Sequence, residues 1–351
     1  MTIFDECIIH IGTTKTGTKT LQGFLNKNRT NFAKVGVFFP KTFGELSHKK
    51  LSAFACTDNK IDSVRKQLGL INKELITDFR NELSKSFYEE IKNQNCKKLL
   101  LSDEHFHSRL ISNEDIENLK KFLDEFSHNY KIIVYIRSQL EMAVSYHSTL
   151  CKGGGTRKSI LPEVTEIDLY YNLEKLLDRW ANIFGAKNII PRIYTRSELI
   201  DGDIKKDFIN ILGLNWNDFV DVKDHNESIN VDAQRFLLEI NKFLPPFIGA
   251  KHNKERNDIV KLVTQNRTGV GLLPTREEAE RFLKIFIDSN EQLRKKWFPT
   301  QKKLFEINLS KYPEKQISNT DYDFAFKIFA EIWAKKNSGF LSSIEENENR
   351  S

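Results

Sequence analysis

The sequence predicts an α/β fold of three layers, a central parallel sheet flanked by helices, with a helical C-terminal half. Three observations predict it. Short apolar, β-branched runs alternate with amphipathic segments through the first part of the chain, which is how parallel sheets covered on both faces are built. Beyond about residue 200 the strand signal fades while helical spacing continues. No run approaches the ~18 consecutive apolar residues of a membrane-spanning helix.

The strands are read at Cys7 to Ile11, Val35 to Phe39, Lys98 to Leu101, Lys131 to Ile136 and Ile189 to Tyr194. Leu169, Leu173, Leu176, Trp180 and Phe184 fall on one face of a helix and read as core. Helices follow at Ile204 to Leu212, Val231 to Phe243, Glu255 to Val263, Arg276 to Leu293 and Tyr322 to Lys336. Pro245-Pro246, Gly269 to Gly271, Pro274, Pro299 and Pro313 punctuate them. With no Ser/Gly/Pro-rich linker, the expectation is a single domain over 1–338, its sheet core ending at about 213 and its helical part running over about 214–338. The polar end, 339–351, is expected to be a disordered tail.

The 351 residues are 39% hydrophobic and 29% charged, the mixture of an ordinary globular protein. Lys and Arg number 54 against 48 Asp and Glu, a net +6 that is too small for a dedicated nucleic-acid coat and is met by one local anionic ligand. Cys7, Cys56, Cys96 and Cys151 are too far apart for a C-x-x-C metal or redox pair and too few for a disulfide framework. A reduced compartment follows, and the first apolar run is too short for a signal peptide, so a cytoplasmic protein is expected.

The chemistry concentrates in Ile8 to Gln22, an apolar strand that runs into Gly12-Thr13-Thr14-Lys15-Thr16-Gly17-Thr18-Lys19-Thr20 and then a helix. Glycines let successive backbone N–H groups converge on one anion, and the helix N-terminus adds its own donors and positive dipole end. A Walker A loop, G-x-x-x-x-G-K-S/T, has lysine directly after its second glycine. Here Thr18 stands there and lysine falls at Lys15 and Lys19. A second strand-loop-helix unit follows at Tyr130 to His147, with Arg137 at the strand end and Ser145 about two helical turns on. A guanidinium fork and a hydroxyl suit one phosphate.

The first segment resembles the P-loop-like 5′-phosphosulfate loop of sulfotransferases that use 3′-phosphoadenosine 5′-phosphosulfate, P-K-S/T-G-T-T/S, or H-I-G-x-x-K-T-G-T-T-S-L-Q in bacterial members. Lys19 and Thr20 stand where that pattern has Thr and Ser. The second resembles the family's R-x-P-x-D/E-x-x-x-S motif, with Gln139 in place of proline. Weaker likeness runs from Trp180 through Gly213, at Asn226-Glu227-Ser228-Ile229 and at Phe298-Pro299. The resemblance implies that Thr14, Thr16, Gly17, Thr18, Lys19 and Thr20 hold the 5′-phosphosulfate, and that Arg137 and Ser145 hold the 3′-phosphate. It implies that Lys15 stabilises charge on the bridging oxygen during in-line transfer. No metal is called for.

An acceptor hydroxyl needs a base, and Ser102-Asp103-Glu104-His105-Phe106-His107 offers several at a strand end. The family places a glutamate or a histidine in this region, so Glu104 is the first choice and His105 the second. The expected acceptor is a polysaccharide or glycolipid hydroxyl, and no nucleic-acid partner is expected. An apolar helix face reads the same inside a monomer or across a dimer, so no oligomeric state is set. Gly153-Gly154-Gly155-Thr156-Arg157-Lys158 is read as a flexible basic loop, and His252, Lys254, Arg256 and Arg267 as a solvated helix face. Two alternatives stay open: a P-loop kinase using ATP and magnesium through Leu99-Leu100-Leu101-Ser102-Asp103, and a non-catalytic nucleotide-fold binding protein.

Overall fold

The computed structural model describes residues 3–165, 168–222, 228–249, 251–316 and 322–336. The chain divides into two compact units. The first comprises Met1–Gln139, Val164–Asn226 and Lys284–Ile307. Its centre is a sheet of β1 (Glu6–Ile11), β2 (Val37–Phe38), β3 (Lys98–Asp103), β4 (Tyr130–Ile136) and β5 (Ile189–Ile193). The strand order is β2-β3-β1-β4-β5, and every pairing is parallel. All five expected strands are present. The second is only two residues long, because Gly36, at φ 81°, turns the chain and gives its carbonyl to the Lys97 and Lys98 N–H groups.

After β1 the chain goes to the edge as β2, returns beside β1 as β3 and then crosses to its other side as β4, so the order reverses at β1. In open α/β sheets such a reversal leaves a crevice beyond the carboxyl ends of the strands. Residues of one strand alternate between faces. Ile8, Leu100, Ile133 and Tyr135 pack with Leu21, Phe24 and Leu25 of α1 (Thr18–Lys27) and with Phe208 and Ile209 of the helix Ile204–Ile211. The opposite face is covered by helices Asn113–Leu123 and Leu173–Phe184, and Tyr130 of β4 meets Phe184 edge to face at 4.8 Å. The Leu173–Phe184 helix starts where the Asn172 side chain accepts from the Lys175 N–H, which leaves Leu169 in the preceding turn.

The second unit, Leu140–Glu163, Glu227–Leu283 and Asn308–Ser351, is mostly helical. Its core includes Cys151, Ile229, Ala233, Leu237, Val263, Phe324 and Ile328. Gly153 to Gly155 departs from the flexible loop the composition suggested. Gly155 donates to the Leu150 carbonyl at 2.9 Å, and Asn241 donates to the Cys151 and Gly155 carbonyls, both at 2.8 Å. Gly154 has φ 99°, and a Cβ there would stand 2.9 Å from Pro246. This is a packed helix terminus. Arg256 is buried rather than on a solvated face, donating to Asn241 Oδ1 and the Lys152 carbonyl.

Arg276 to Leu293, read as one helix, is two, Arg276–Lys284 and Ile287–Trp297. The fully buried Phe286 occupies the break, with φ −109° and ψ 9°. Asn226, Glu227 and 339–351, which the sequence singled out, lie outside the described residues.

Candidate functional site

The edge formed by the ends of β1, β3, β4 and β5 collects most of the chemistry. Ile11 pairs with Asp103 and with Val134, and Ile136 with Ile193. The residues that follow these ends are therefore Gly12, Glu104, Arg137 and Tyr194, side by side along one rim. The Gly12 N–H donates to the Asp103 carbonyl at 3.1 Å, and the Tyr194 N–H to the Ile136 carbonyl at 2.7 Å.

The loop is braced from inside by its threonines. The Thr13 hydroxyl donates to the Tyr135 carbonyl of β4, the Thr16 hydroxyl to the Thr13 carbonyl at 2.7 Å, and the Thr18 hydroxyl to the same carbonyl at 3.2 Å. Thr16 and Thr18 are buried, so their hydroxyl hydrogens are committed to the loop. Thr14, Lys15 and Thr20 are half-buried, and Lys19 is exposed. Lys15 and Gly17 both adopt φ 70°, the left-handed region that disfavours side chains. Two such residues in one short loop curl the backbone around a point in front of α1. The first hydrogen bond of α1 runs from the Leu21 N–H to the Gly17 carbonyl, so the N–H groups of Thr18, Lys19 and Thr20 precede the helical ladder.

Arg137 closes one side. Its Nη1 donates to the Lys15 carbonyl at 3.2 Å, and its guanidinium stands 5.9 Å from the Tyr194 ring centre. Tyr194 in turn lies against Gly17, where a Cβ would stand 2.8 Å from its hydroxyl oxygen. Tyr194 is the member of this group that sequence reasoning left as a strand residue. An aromatic closing the last strand was its only signal. Arg137 and Tyr194 belong to the first unit and Ser145 to the second, half-buried on the helix Gln139–Gly153.

On the other side of Gly12, β3 ends at Asp103, and Glu104 already has helical φ and ψ at the start of the turn His105–Ser108. That turn brings His105 back onto Asp103, with Nδ1 to Oδ1 at 2.9 Å, while the Ser52 hydroxyl donates to Oδ2. Asp103 is fully buried and the His105 side chain is 20% exposed. Burial disfavours the imidazolium, but the Asp103 hydrogen bond and charge, with the Glu104 charge, outweigh it and raise the His105 pKa. With Nδ1–H held by Asp103, the neutral ring presents a lone pair at Nε2. A Cβ on Gly12 would come within 3.1 Å of the Glu104 Cα, so this segment abuts the loop.

His10 and His48 lie behind the rim and are core residues. His48 donates from Nε2 to the Pro40 carbonyl and accepts from the Ser102 N–H at Nδ1, and His10 Nδ1 meets Ser102 Oγ at 2.8 Å. Burial brings both down to about 3. Among the described residues there is no His/Cys/Asp/Glu group that could hold a metal ion, and no helix is long and apolar enough to cross a membrane.

No family model matches the chain. It is similar to an uncharacterized protein of Archaeoglobus fulgidus, 26% identical over 204 residues, 58% of this chain and 54% of that protein. The chain thus spans about half the length of that relative. Among solved structures it is similar to a sulfotransferase from Alicyclobacillus acidocaldarius, with 14% identity and a TM-score of 0.39 over 62% of this chain and 85% of that one. It is also similar to the sulfotransferase domain from the curacin biosynthetic pathway, with 12% identity and a TM-score of 0.31 over 62% and 76%.

Proposed function

We propose that this protein is a sulfotransferase that moves a sulfonate group from 3′-phosphoadenosine 5′-phosphosulfate to an acceptor hydroxyl, with a polysaccharide or glycolipid as the expected acceptor. The observation that carries the proposal is the Lys15-Thr16-Gly17-Thr18 loop at the end of β1, curled by two left-handed residues and joined by Arg137. The donor set fits a sulfated nucleotide: backbone N–H groups at a helix start, one lysine ahead of the second glycine and one arginine. Gly17 fits as well, since any side chain there would meet Tyr194.

3′-Phosphoadenosine 5′-phosphosulfate would supply the activated sulfonate. Lys15 would hold the negative charge that grows on the bridging oxygen as the S–O bond to the leaving nucleotide breaks. The N–H groups of Thr18 to Thr20 would hold the 5′ end. The 3′-phosphate roles of Arg137 and Ser145 rest on the second motif. His105 Nε2 would take the acceptor's proton as its oxygen bonds to sulfur, while Asp103 holds Nδ1–H and fixes the ring. The geometry favours His105 over Glu104 as base because Asp103 orients the imidazole and raises its basicity, while Glu104 adds charge beside it.

The kinase alternative needs a strand-end aspartate available to magnesium. Both Asp103 oxygens already accept hydrogen bonds from protein groups. Thermal unfolding with adenosine 3′,5′-bisphosphate, with ADP and with ATP plus magnesium tests the proposal. A ligand at about 100 times its dissociation constant adds about 2.7 kcal/mol. Stabilisation by the bisphosphate that Arg137→Ala abolishes is the expected outcome. A larger effect of ATP and magnesium would overturn the reading.

A further inference from the structure

Arg179 lies on the helix Leu173–Phe184 and is 8% exposed. Neither its Nε nor either of its terminal nitrogens has a hydrogen-bond partner among the described residues. The other deeply buried arginines differ. Arg65 donates to the carbonyls of Ala53, Cys56, Thr57 and Lys60. Arg256 donates to Asn241 Oδ1 and the Lys152 carbonyl. Among the described residues the fold thus surrounds two buried guanidinium groups with acceptors and leaves the third with none.

Among the described residues no charge offsets the burial of Arg179 either. Burial alone pulls its pKa down to about 10. His107, within reach of its charge, is buried and donates from Nε2 to the Tyr170 carbonyl at 2.9 Å, while its Nδ1 has no partner among the described residues. Burial, reinforced by Arg179 and opposed by the Tyr170 bond, brings the His107 pKa to about 4, so the ring is neutral. A guanidinium taken out of water without acceptors is among the most costly groups a protein can bury. Its planar fork of donors matches two oxygens of one oxyanion.

We propose that Arg179 anchors a binding site for a small oxyanion, a carboxylate or a sulfate or phosphate group, which supplies the acceptors the protein leaves out. The site is carried by elements other than the glycine loop, and it does not depend on the sulfotransferase reading.

The test is thermal unfolding of the full chain and of Arg179→Met, which keeps an apolar stem and removes the charge. Each is measured at fixed ionic strength in sodium chloride, in sodium acetate and in sodium sulfate. In chloride the variant is expected to unfold a few degrees above the parent, because an uncompensated buried charge has gone. Acetate or sulfate is expected to raise the parent's midpoint saturably and by more than the variant's. The two arms separate a carboxylate site from a sulfate or phosphate site. Sulfate held by the glycine loop acts on both proteins and drops out of the difference. A variant that is less stable than the parent, or that fails to fold, would show that the guanidinium serves the structure and would overturn the proposal. Equal responses of the two proteins to both anions would overturn it as well.

Discussion

Gly12→Ala places a methyl group at the seam between the glycine loop and the Glu104-His105 turn. At this position the new carbon would stand 2.4 Å from Thr18 Cγ2, 3.0 Å from Thr18 Oγ1 and 3.1 Å from the Glu104 Cα. Thr18 is buried and donates to the Thr13 carbonyl, so rotating it away breaks a bond inside the loop, and Glu104 can yield only through its backbone. Overpacking of this kind costs about 1–3 kcal/mol, and the lost hydrogen bond adds about 1 kcal/mol. The expected total is a loss of about 2–4 kcal/mol in urea unfolding. Because either escape moves the loop or the Glu104-His105 turn, binding of adenosine 3′,5′-bisphosphate or the His105 titration should change with it. A variant within about 0.5 kcal/mol of the parent, with both properties intact, would refute the claim that the two segments are packed as one seam.

Lys15→Gly removes a side chain from a left-handed backbone, so stability should rise by up to about 1 kcal/mol while sulfonate transfer falls on the order of 10²–10³-fold; retained transfer would remove Lys15 from the mechanism. Because the His105 pKa is raised above 6.5, the transfer rate should climb with pH through that raised value as the base loses its proton, and D103N should move this limb to lower pH; an unmoved limb would separate Asp103 from the base. The same raised pKa contributes stability below about pH 6.5 that is lost as pH rises through the folded value. His10 and His48, lowered to about 3, act in the opposite sense. Their stabilisation is complete above 6.5 and should decline by about 1.4 kcal/mol per pH unit for each ring as pH falls toward 3. Urea midpoints between pH 7 and pH 5 measure this decline, and His48→Asn should flatten it.

The parts of this structure that the sequence made legible are those whose signal lies in consecutive residues. Leu99 to Leu101 and Ile132 to Ile136 are continuous apolar runs, and Ile8 to Ile11 is one broken only by the buried His10, because both faces of their sheet are covered. The loop was readable because the order of Lys15 and Gly17 is local. Alternation continued past Asp103 puts Asp103 and His105 on one side and Glu104 on the other, so the nearness of Asp103 and His105 was legible; the hydrogen bond itself was not, because the chain has already turned into a helix at Glu104. Gly153 to Gly155 misled for the complementary reason. A glycine run reports what a backbone is permitted to do, and the Asn241 and Pro246 contacts decide what it does. Arg179 gave no signal, because an arginine beside an apolar stripe looks the same whether its head reaches water or is buried without a partner.

What joins the separately readable pieces is register. Ile11 opposite Asp103 and Val134 brings Gly12 beside Glu104 and sets Thr13 where its hydroxyl reaches the Tyr135 carbonyl. Sliding β1 by one residue would reverse the facing of Ile8 and Ile9 and take Gly12 away from the Glu104 backbone it packs against. The apolar pattern of β1 that fixes the core therefore also fixes how far the loop stands from the Glu104-His105 turn. A substitution such as Ile8→Thr, far from the rim, should lower transfer and loosen the Gly12 to Asp103 hydrogen bond together, seen as faster amide exchange at Gly12. Faster exchange at full activity would show that the loop keeps its place without the strand beneath it.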